Sequence, residues 1–408
     1  MNIHALKWIV TGALLMTGVA GCSGGGGGSP AATAISGTAA AGILANGTAS
    51  VYAIDANGTR GTTPLVTVPI DANGKYSASL GTYSGAVQVE VTGTYSDEAT
   101  GGPVSITAAK PLHAFLDVVD NGANNNRVVS VTPFTELAWR KASANGTAAT
   151  PPAAIASANA LVSSIFRINS IVATEPVSLD NTSMAGASLQ AQAYTLALAA
   201  LSQMTKPASG AATFSQMDGL VDTLAAEAQG AETSGSMSAG TATAFATALS
   251  NVPLASGYSS AAGMLYGVGM KSQKITLATS GQLPPGTKIY AVQGTISLPL
   301  DAATNLPKVS LSADSTGQML SNAFLLSGTA SSMANLLPIA NYLASQHQVK
   351  FAVVFDVTKQ GMDIGPFATM AYDVVPGATV TAADFSVAAS SVKDANGATI
   401  SGISVVVN

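Results

Sequence analysis

Apolar positions along the chain change their period twice. In "TASVYAID" (48–55), "PLVTVPID" (64–71), "KYSASL" (75–80) and "AVQVEVTG" (86–93), β-branched and aromatic residues alternate or cluster in short runs separated by Gly, Asn and Asp. That is the signature of half-buried strands joined by tight turns, and it predicts a small β-sandwich over residues 33–131. From Thr132 the period becomes about 3.6. "TPFTELAWRKA" (132–142) offers Thr132 as N-cap, Pro133 at the first helical position and Glu136 in the first turn. "PPAAIASANALVSSIFRI" (151–168) sets Ile155, Leu161, Val162, Ile165 and Phe166 at helical spacings. With the runs at 187–204, 213–228 and 239–252, about five helices are expected over 132–268, their small faces suited to close packing. From Lys271 strand patterning returns in seven runs, 273–279, 288–300, 308–313, 349–358, 366–375, 383–397 and 398–407. They predict a second sandwich over 271–408, with a helix inserted at 330–346. The expected fold is multidomain, with β-sandwich, α-helical bundle and β-sandwich in series, α+β overall.

The N-terminus follows neither period. Residues 1–7 carry one positive charge and no acid, and Trp8 to Ala20 form an apolar run broken only by Thr and Gly. This is the layout of a secretory signal over residues 1–21, and the run is shorter than the roughly 20 residues a membrane-spanning helix needs. Val19-Ala20-Gly21-Cys22 resembles the lipobox of bacterial lipoproteins, with Val19 where leucine is more usual. The resemblance implies that the Cys22 thiol receives a diacylglyceryl group, that the chain is cut before Cys22, and that the new amino terminus is acylated. Several acyl chains would hold the protein firmly to a membrane. Residues 22–32 would then be the lipidated cysteine and a glycine-rich stalk, flexible over Gly24–Ser29. Ser23 is not the aspartate that retains many such lipoproteins in the inner membrane, so the resemblance implies the outer membrane. The same stretch fits G-x-S-x-G at Gly21-Cys22-Ser23-Gly24-Gly25, but the cut would split that match. Glycines also supply neither the strand nor the helix that flank a nucleophile elbow.

"DANG" occurs at 55–58, 71–74 and 394–397. Asp-x-Asn-Gly could open a calcium loop, yet no acids follow at the spacing such a loop requires. Asn-Gly between alternating runs signals a hairpin, with a type I′ turn expected. Gly37, "ASVYAI", "DANGKYSASL" and "AVQVEVTGTY" follow the order of carboxypeptidase-regulatory-like, transthyretin-fold modules over about residues 33–96. That resemblance implies an accessory sandwich without catalysis. Residues 272–408 resemble cohesin modules in the K-I-x-L opening strand, "LPPGTKI", "VKFAVVFDV", and F-S-V followed by D-x-N-G and I-S-G. Cohesins are non-catalytic sandwiches that bind dockerin modules on partner proteins, and the inserted helix departs from their pattern.

Composition narrows the chemistry. Residues 22–408 hold 15 basic and 21 acidic residues, a formal balance of −6, which points neither to nucleic acid nor to a polybasic membrane contact. Charged residues are 9% and hydrophobic ones 47% of the chain, which argues against disorder. Cys22 is the only cysteine, so once lipidated it leaves neither disulfides nor thiol chemistry. His113 and His347 fall in different expected domains, and His113 precedes Asp117 by four positions; neither histidine is expected to hold a metal. Asp117, Asp120, Glu136 and Asp180 are scattered, with no pair to divide acid and base roles. In "GQLPPGTK" (281–288) Gly281 and Gly286 mimic half a P-loop, but Thr287 replaces the lysine and Pro284-Pro285 remove amides, so a turn is expected. Trp139, i+3 from Glu136, is expected to be partly buried, and Tyr52, Tyr76, Tyr95, Tyr290 and Tyr372 to be mostly core. No catalytic, cofactor or metal residues are assigned. The expected function is an exported, outer-membrane-anchored lipoprotein acting as a non-catalytic binding or structural module, its partners the membrane through Cys22 and an envelope protein. A carbohydrate-binding surface module is the alternative, and a hydrolase with an unrecognised site the third.

Overall fold

The computed structural model describes residues 33–119, 126–143, 151–253, 256–313, 316–319, 323–332, 339–358, 360–375 and 377–408. Cys22, the expected signal, the stalk and Asp120 lie outside them. The described residues form four sheets and seven α-helices, an α+β fold. No described helix is long and apolar enough to cross a membrane.

Eight strands come first: β1 (Thr33–Thr38), β2 (Leu44–Ile54), β3 (Val66–Ile70), β4 (Lys75–Gly81), β5 (Gly85–Ser96), β6 (Pro103–Ile106), β7 (Leu112–Val119) and β8 (Asn126–Val128). One sheet runs β3-β2-β5-β6 with β7 also on β5; a smaller one runs β4-β1-β8, β8 lying parallel to β1. Along β4 exposed and buried residues alternate strictly, with Tyr76, Ala78 and Leu80 inward, as the period-2 pattern requires.

All three DANG loops fold the same way, and not as type I′ turns. In each, the glycine has positive φ (Gly58 85°, Gly74 73°, Gly397 76°), while Asn57, Asn73 and Asn396 do not. The glycine amide returns to the aspartate carbonyl, and the aspartate amide bonds the residue after the glycine. This is a type I turn closed by a left-handed glycine. What overrides the Asn-Gly preference is the aspartate: Oδ1 of Asp71 accepts from the amides of Asn73 and Lys75, both at 2.8 Å. Asp55 and Asp394 do the same in their loops.

The helices are α1 (Pro133–Ala142), α2 (Pro152–Ile165), α3 (Asn181–Gly186), α4 (Leu189–Met204), α5 (Phe214–Ser234), α6 (Ala239–Ser250) and α7 (Ser259–Gly263). Thr132 caps α1 and Pro133 opens it, as the sequence predicts. Short α3 and α7 have no counterpart among the expected helices. Helix α4 is buried on nearly every side from Ala193 to Ser202, which its alanines allow because neighbouring backbones can approach closely. Phe134, Phe166 and Phe245 pack in sequence, tilted and then edge to face, at 4.5 and 5.9 Å between centroids. The expected series of separate first sandwich and bundle takes a different form: their side chains, from Ile35 to Val268, belong to one continuous core. Neither layer covers its own apolar face, so each completes the other.

Nine strands complete the chain: β9 (Lys271–Gly281), β10 (Ala291–Ser297), β11 (Val309–Ser310), β12 (Phe324–Leu326), β13 (Ile339–Leu343), β14 (Gln348–Val354), β15 (Pro366–Val374), β16 (Ser386–Lys393) and β17 (Ile403–Val407). They make sheets β13-β14-β10-β16 and β11-β15-β9-β17, with β12 on β15, around a second core from Ile275 to Val405. Of the helix expected at 330–346, residues 333–338 lie outside the described residues, and over Ile339–Leu343 the expectation is corrected to a strand paired antiparallel with β14. Its β-branched first residue and the partner edge of β14 outweigh a short helical pattern. At 281–288 the expected turn forms, with Gly286 at φ 76° and the Thr287 amide bonded to Pro284 O.

Gly74→Val should lower the stability of the whole 33–268 unit by more than 1 kcal/mol, since a Cβ there meets Ala39 O at 2.7 Å and φ is positive. Urea unfolding should show strands and helices of that unit melting together; separate transitions for them would contradict the shared core. Calcium chelation should leave both midpoints unchanged, because the DANG carboxylates already serve backbone amides.

Candidate functional site

The densest set of titratable groups lies where β5, β7, α1 and α5 meet. Strand pairing sets Glu90 of β5 opposite His113 of β7. Helix α1 projects Glu136, Trp139 and Arg140 from one face, the i, i+3 and i+4 positions. Glu136 is only 1% exposed. Its Oε2 accepts from the His113 amide at 2.8 Å and lies 2.7 Å from His113 Nδ1, while its Oε1 accepts from Arg140 Nε at 2.8 Å. Arg140 reaches on to α5: Nη1 donates to Asp222 Oδ1 at 2.5 Å and to Asp218 O at 3.0 Å, and Nη2 to Asp218 Oδ1 at 2.5 Å. Lys110 closes that end against Asp218 Oδ2.

At the other end His113 Nε2 lies 3.7 Å from Glu90 Oε1, which also receives Arg60 and Gln88 Nε2, each at 2.7 Å. Trp139 stacks on His113 with centroids 4.0 Å apart and planes within 11°, and its Nε1 donates to Gln88 Oε1 at 3.2 Å. A continuous chain of polar contacts thus runs from Arg60 to Lys110. Burial alone would raise the Asp218 carboxyl, but Lys110 and Arg140 hold it below its ordinary value. Burial likewise works to lower the Arg140 guanidinium, and Glu136, Asp218 and Asp222 together hold it above its usual range.

This network walls an open cleft of 1070 Å³, lined by Lys110, His113, Trp139, Arg140, Asp222 and Gln229 among others. Its chemistry is closed on itself. Both edges of the imidazole face protein carboxylates, one ring face is covered by Trp139, and all three Arg140 nitrogens donate to the protein. Among the described residues no three His, Cys, Asp or Glu converge as metal ligands.

Sequence reasoning separated residues that the fold brings together. His113 pairs with Glu136 and Glu90 rather than with Asp117. His347 is a left-handed residue, φ 51°, whose buried Nδ1 has no partner among the described residues. Asp180 is exposed and caps α3, held down to about 2 by the Ser183 hydroxyl and amide. Trp139 is half-buried, as expected. Tyr76, Tyr95 and Tyr372 are core, and Tyr52 lies under the Arg60 guanidinium at 3.5 Å; Tyr290 is half-buried. Glu90, Arg140, Asp218 and Asp222 have no role in the sequence reading; the i, i+4 spacings of Glu136–Arg140 and Asp218–Asp222 signal three of them, and nothing local signals Glu90.

A second feature is the outer face of sheet β13-β14-β10-β16. Burial alternates along β10 and β14, with Val292, Ile296, Val349, Phe351 and Val353 inward. The opposite face presents Ile339, Asn341, Lys350, Ala352, Val354, Gln293 and Thr295, with Ile339 56% and Val354 51% exposed. The four strands contain no carboxylate side chain; their only charges are Lys350 and Lys393.

No family model matches this sequence, and no curated protein does either. Among solved structures, a type II cohesin dyad from the adaptor ScaA scaffoldin of Acetivibrio cellulolyticus is 13% identical, with a TM-score of 0.22, over 33% of this chain and 43% of that one. An N-terminal interface mutant of a type II cohesin-X-dockerin complex from the same organism is 12% identical, with a TM-score of 0.19, over 32% of this chain and 82% of that one. The chain thus spans less than half of the first of these.

Arg140→Ala should destabilise the 33–268 unit by about 3–5 kcal/mol, because it strands the buried Glu136 carboxylate; a urea midpoint close to wild type would show that water replaces the guanidinium. A pH effect should come from Glu98, next to Asp97, whose carboxylate accepts from Ser202 of α4. Burial, and secondly the Asp97 charge, push the Glu98 carboxyl up from 4.5 to about 8. Between those values the folded chain keeps a proton that the unfolded chain has lost. The stabilisation is therefore full below pH 4.5, declines as pH rises and is gone above about 8. Glu98→Gln should flatten that decline in urea titrations, and an unaltered slope would contradict it.

Proposed function

We propose that the protein is an exported lipoprotein, acylated at Cys22 and held in the outer membrane. From there it presents a non-catalytic binding module to a protein of the cell envelope. The docking surface in this reading is the outer face of sheet β13-β14-β10-β16. One observation carries it: a broad, exposed β surface free of carboxylates, with lysines at Lys350 and Lys393, on a chain of net charge −5. Small and amide side chains cost little to desolvate, and Ile339 and Val354 supply apolar contact. The two lysines select a partner surface of acidic character. The anchor rests on the charged n-region, the apolar run and the Val19-Ala20-Gly21-Cys22 motif.

A hydrolase is the second reading, favoured by the meeting of His113 with Glu90 and Glu136 beside a cleft. Commitment of those groups to one another supports a structural role instead. For carbohydrate binding, the burial of Tyr76, Tyr95 and Tyr372 removes three of the rings that could stack on sugars.

Cys22→Ser should leave uncut precursor or release the protein from membranes; a cleaved variant still fractionating with membranes would contradict the anchor. Lys350→Glu and Val354→Asp should each abolish co-purification of the acylated protein's envelope partner, with circular dichroism unchanged. Undiminished capture by both would refute the docking face, and substrate turnover lost in His113→Ala would establish the hydrolase.

A further inference from the structure

The body with the first core (residues 33–268) and the C-terminal sandwich (271–408) meet through little packing. Among the described residues none of the extensively packed element pairs crosses the junction, and a cleft of 880 Å³ opens there, lined from both sides by Arg167, Met264, Ala323 and Asp373 among others. The chain crosses once, through "YGVGMK" (266–271), where two glycines lower the resistance to bending. At this crossing stands Arg167, a non-glycine residue with φ 57° just after α2. Its Nε and Nη2 donate to Gly267 O at 3.1 and 3.0 Å, and Nη2 also donates to Met270 O at 3.1 Å. The same Nη2 makes a short ion pair with Asp373 Oδ1 of β15, across the junction.

The body holds the crossing segment independently, since the Gly269 amide donates to Ile165 O and the Met237 amide to Gly269 O. Arg167 therefore grips a segment already fixed to the body and attaches the sandwich to it through one carboxylate. Gly267 is required by that arrangement, because a Cβ there would fall inside the Asp373 carboxylate. Asp373 is 6% exposed, so this contact is shielded from solvent competition. Gly263 against Ala313 O is a further close approach at the junction, a backbone contact without charge.

The structure assigns Arg167 and Asp373 the role of a latch that fixes the direction of the C-terminal sandwich relative to the body, with residues 266–271 as the hinge it restrains. When the ion pair opens, no other ion pair among the described residues crosses the junction, and the sandwich swings about the glycine-containing segment. The latch thereby sets where the free sheet points with respect to the rest of the chain. This goes beyond the binding reading and does not depend on it, since its readout is a distance and not a ligand.

The test uses the full chain in a Cys22→Ser background, with spin labels on cysteines at the exposed positions Ser215 and Thr399 and pulsed electron resonance as readout. The latched protein should give one narrow distance distribution. Arg167→Met and Gly267→Ala should each broaden it and add a second, shifted maximum, with far-UV circular dichroism and both urea midpoints kept. If Arg167→Met does not fold, Asp373→Ala on the sandwich side decides in its place. A distribution as narrow and as centred as the parent's in a folded Gly267→Ala and in either ion-pair variant would overturn the latch.

Discussion

A carboxylate buried in the first turn of a helix constrains this architecture more than any other group. Glu136 is shut away from water, where an unpaired charge would cost several kcal/mol. It is tolerated because three groups from two elements converge on it: the β7 amide and imidazole at His113, and the α1 guanidinium at Arg140. Arg140 is in turn held by the carboxylates of α5. The sheet, its covering helix and the next helix are thus locked in one relative placement by a single need for neutralisation. Hydrophobic burial supplies most of the driving force over the shared core, but it is non-directional. The charged chain supplies direction.

The same economy of charge governs the junction with the C-terminal sandwich. There the apolar contact is thin, and one guanidinium couples a backbone segment on one side to a carboxylate on the other. Burial pushes the Asp373 carboxyl above its ordinary value, and Arg167 only partly offsets this. Among the described residues the junction carries one buried ion pair, in contrast with the broad core that unites the first two layers. A chain with only 9% charged residues thus concentrates its buried ion pairs where elements must be oriented. It leaves the outer face of sheet β13-β14-β10-β16 nearly uncharged and available.

Local chemistry was legible without a structure. Period-2 runs placed most strands, Thr132 and Pro133 placed the start of α1, and Asp-x-Asn-Gly placed three tight turns. Each of these depends on neighbours within a few residues, which a sequence displays directly. Even there tertiary and local detail intervened: two amides on each DANG aspartate selected a type I turn over type I′. At Ile339–Leu343 the open edge of β14 drew a helical-looking segment into a strand, because backbone groups beside a sheet edge gain most by pairing with it.

What only the tertiary structure decided is which distant residues meet. His113 and Glu136 are 23 positions apart, Arg140 and Asp218 78, and Arg167 and Asp373 206. No periodicity or motif encodes such separations. Each of these ionic groups reads in sequence as a lone, solvated side chain, since charged residues are ordinarily exposed. Their meaning arises from burial, which makes isolation costly and pairing obligatory, and burial is a property of the packed chain. The sequence by itself determined most strands, the longer helices and the lipobox-like Cys22 motif; the packing determined that sheet and helices share one core and that buried charges orient it.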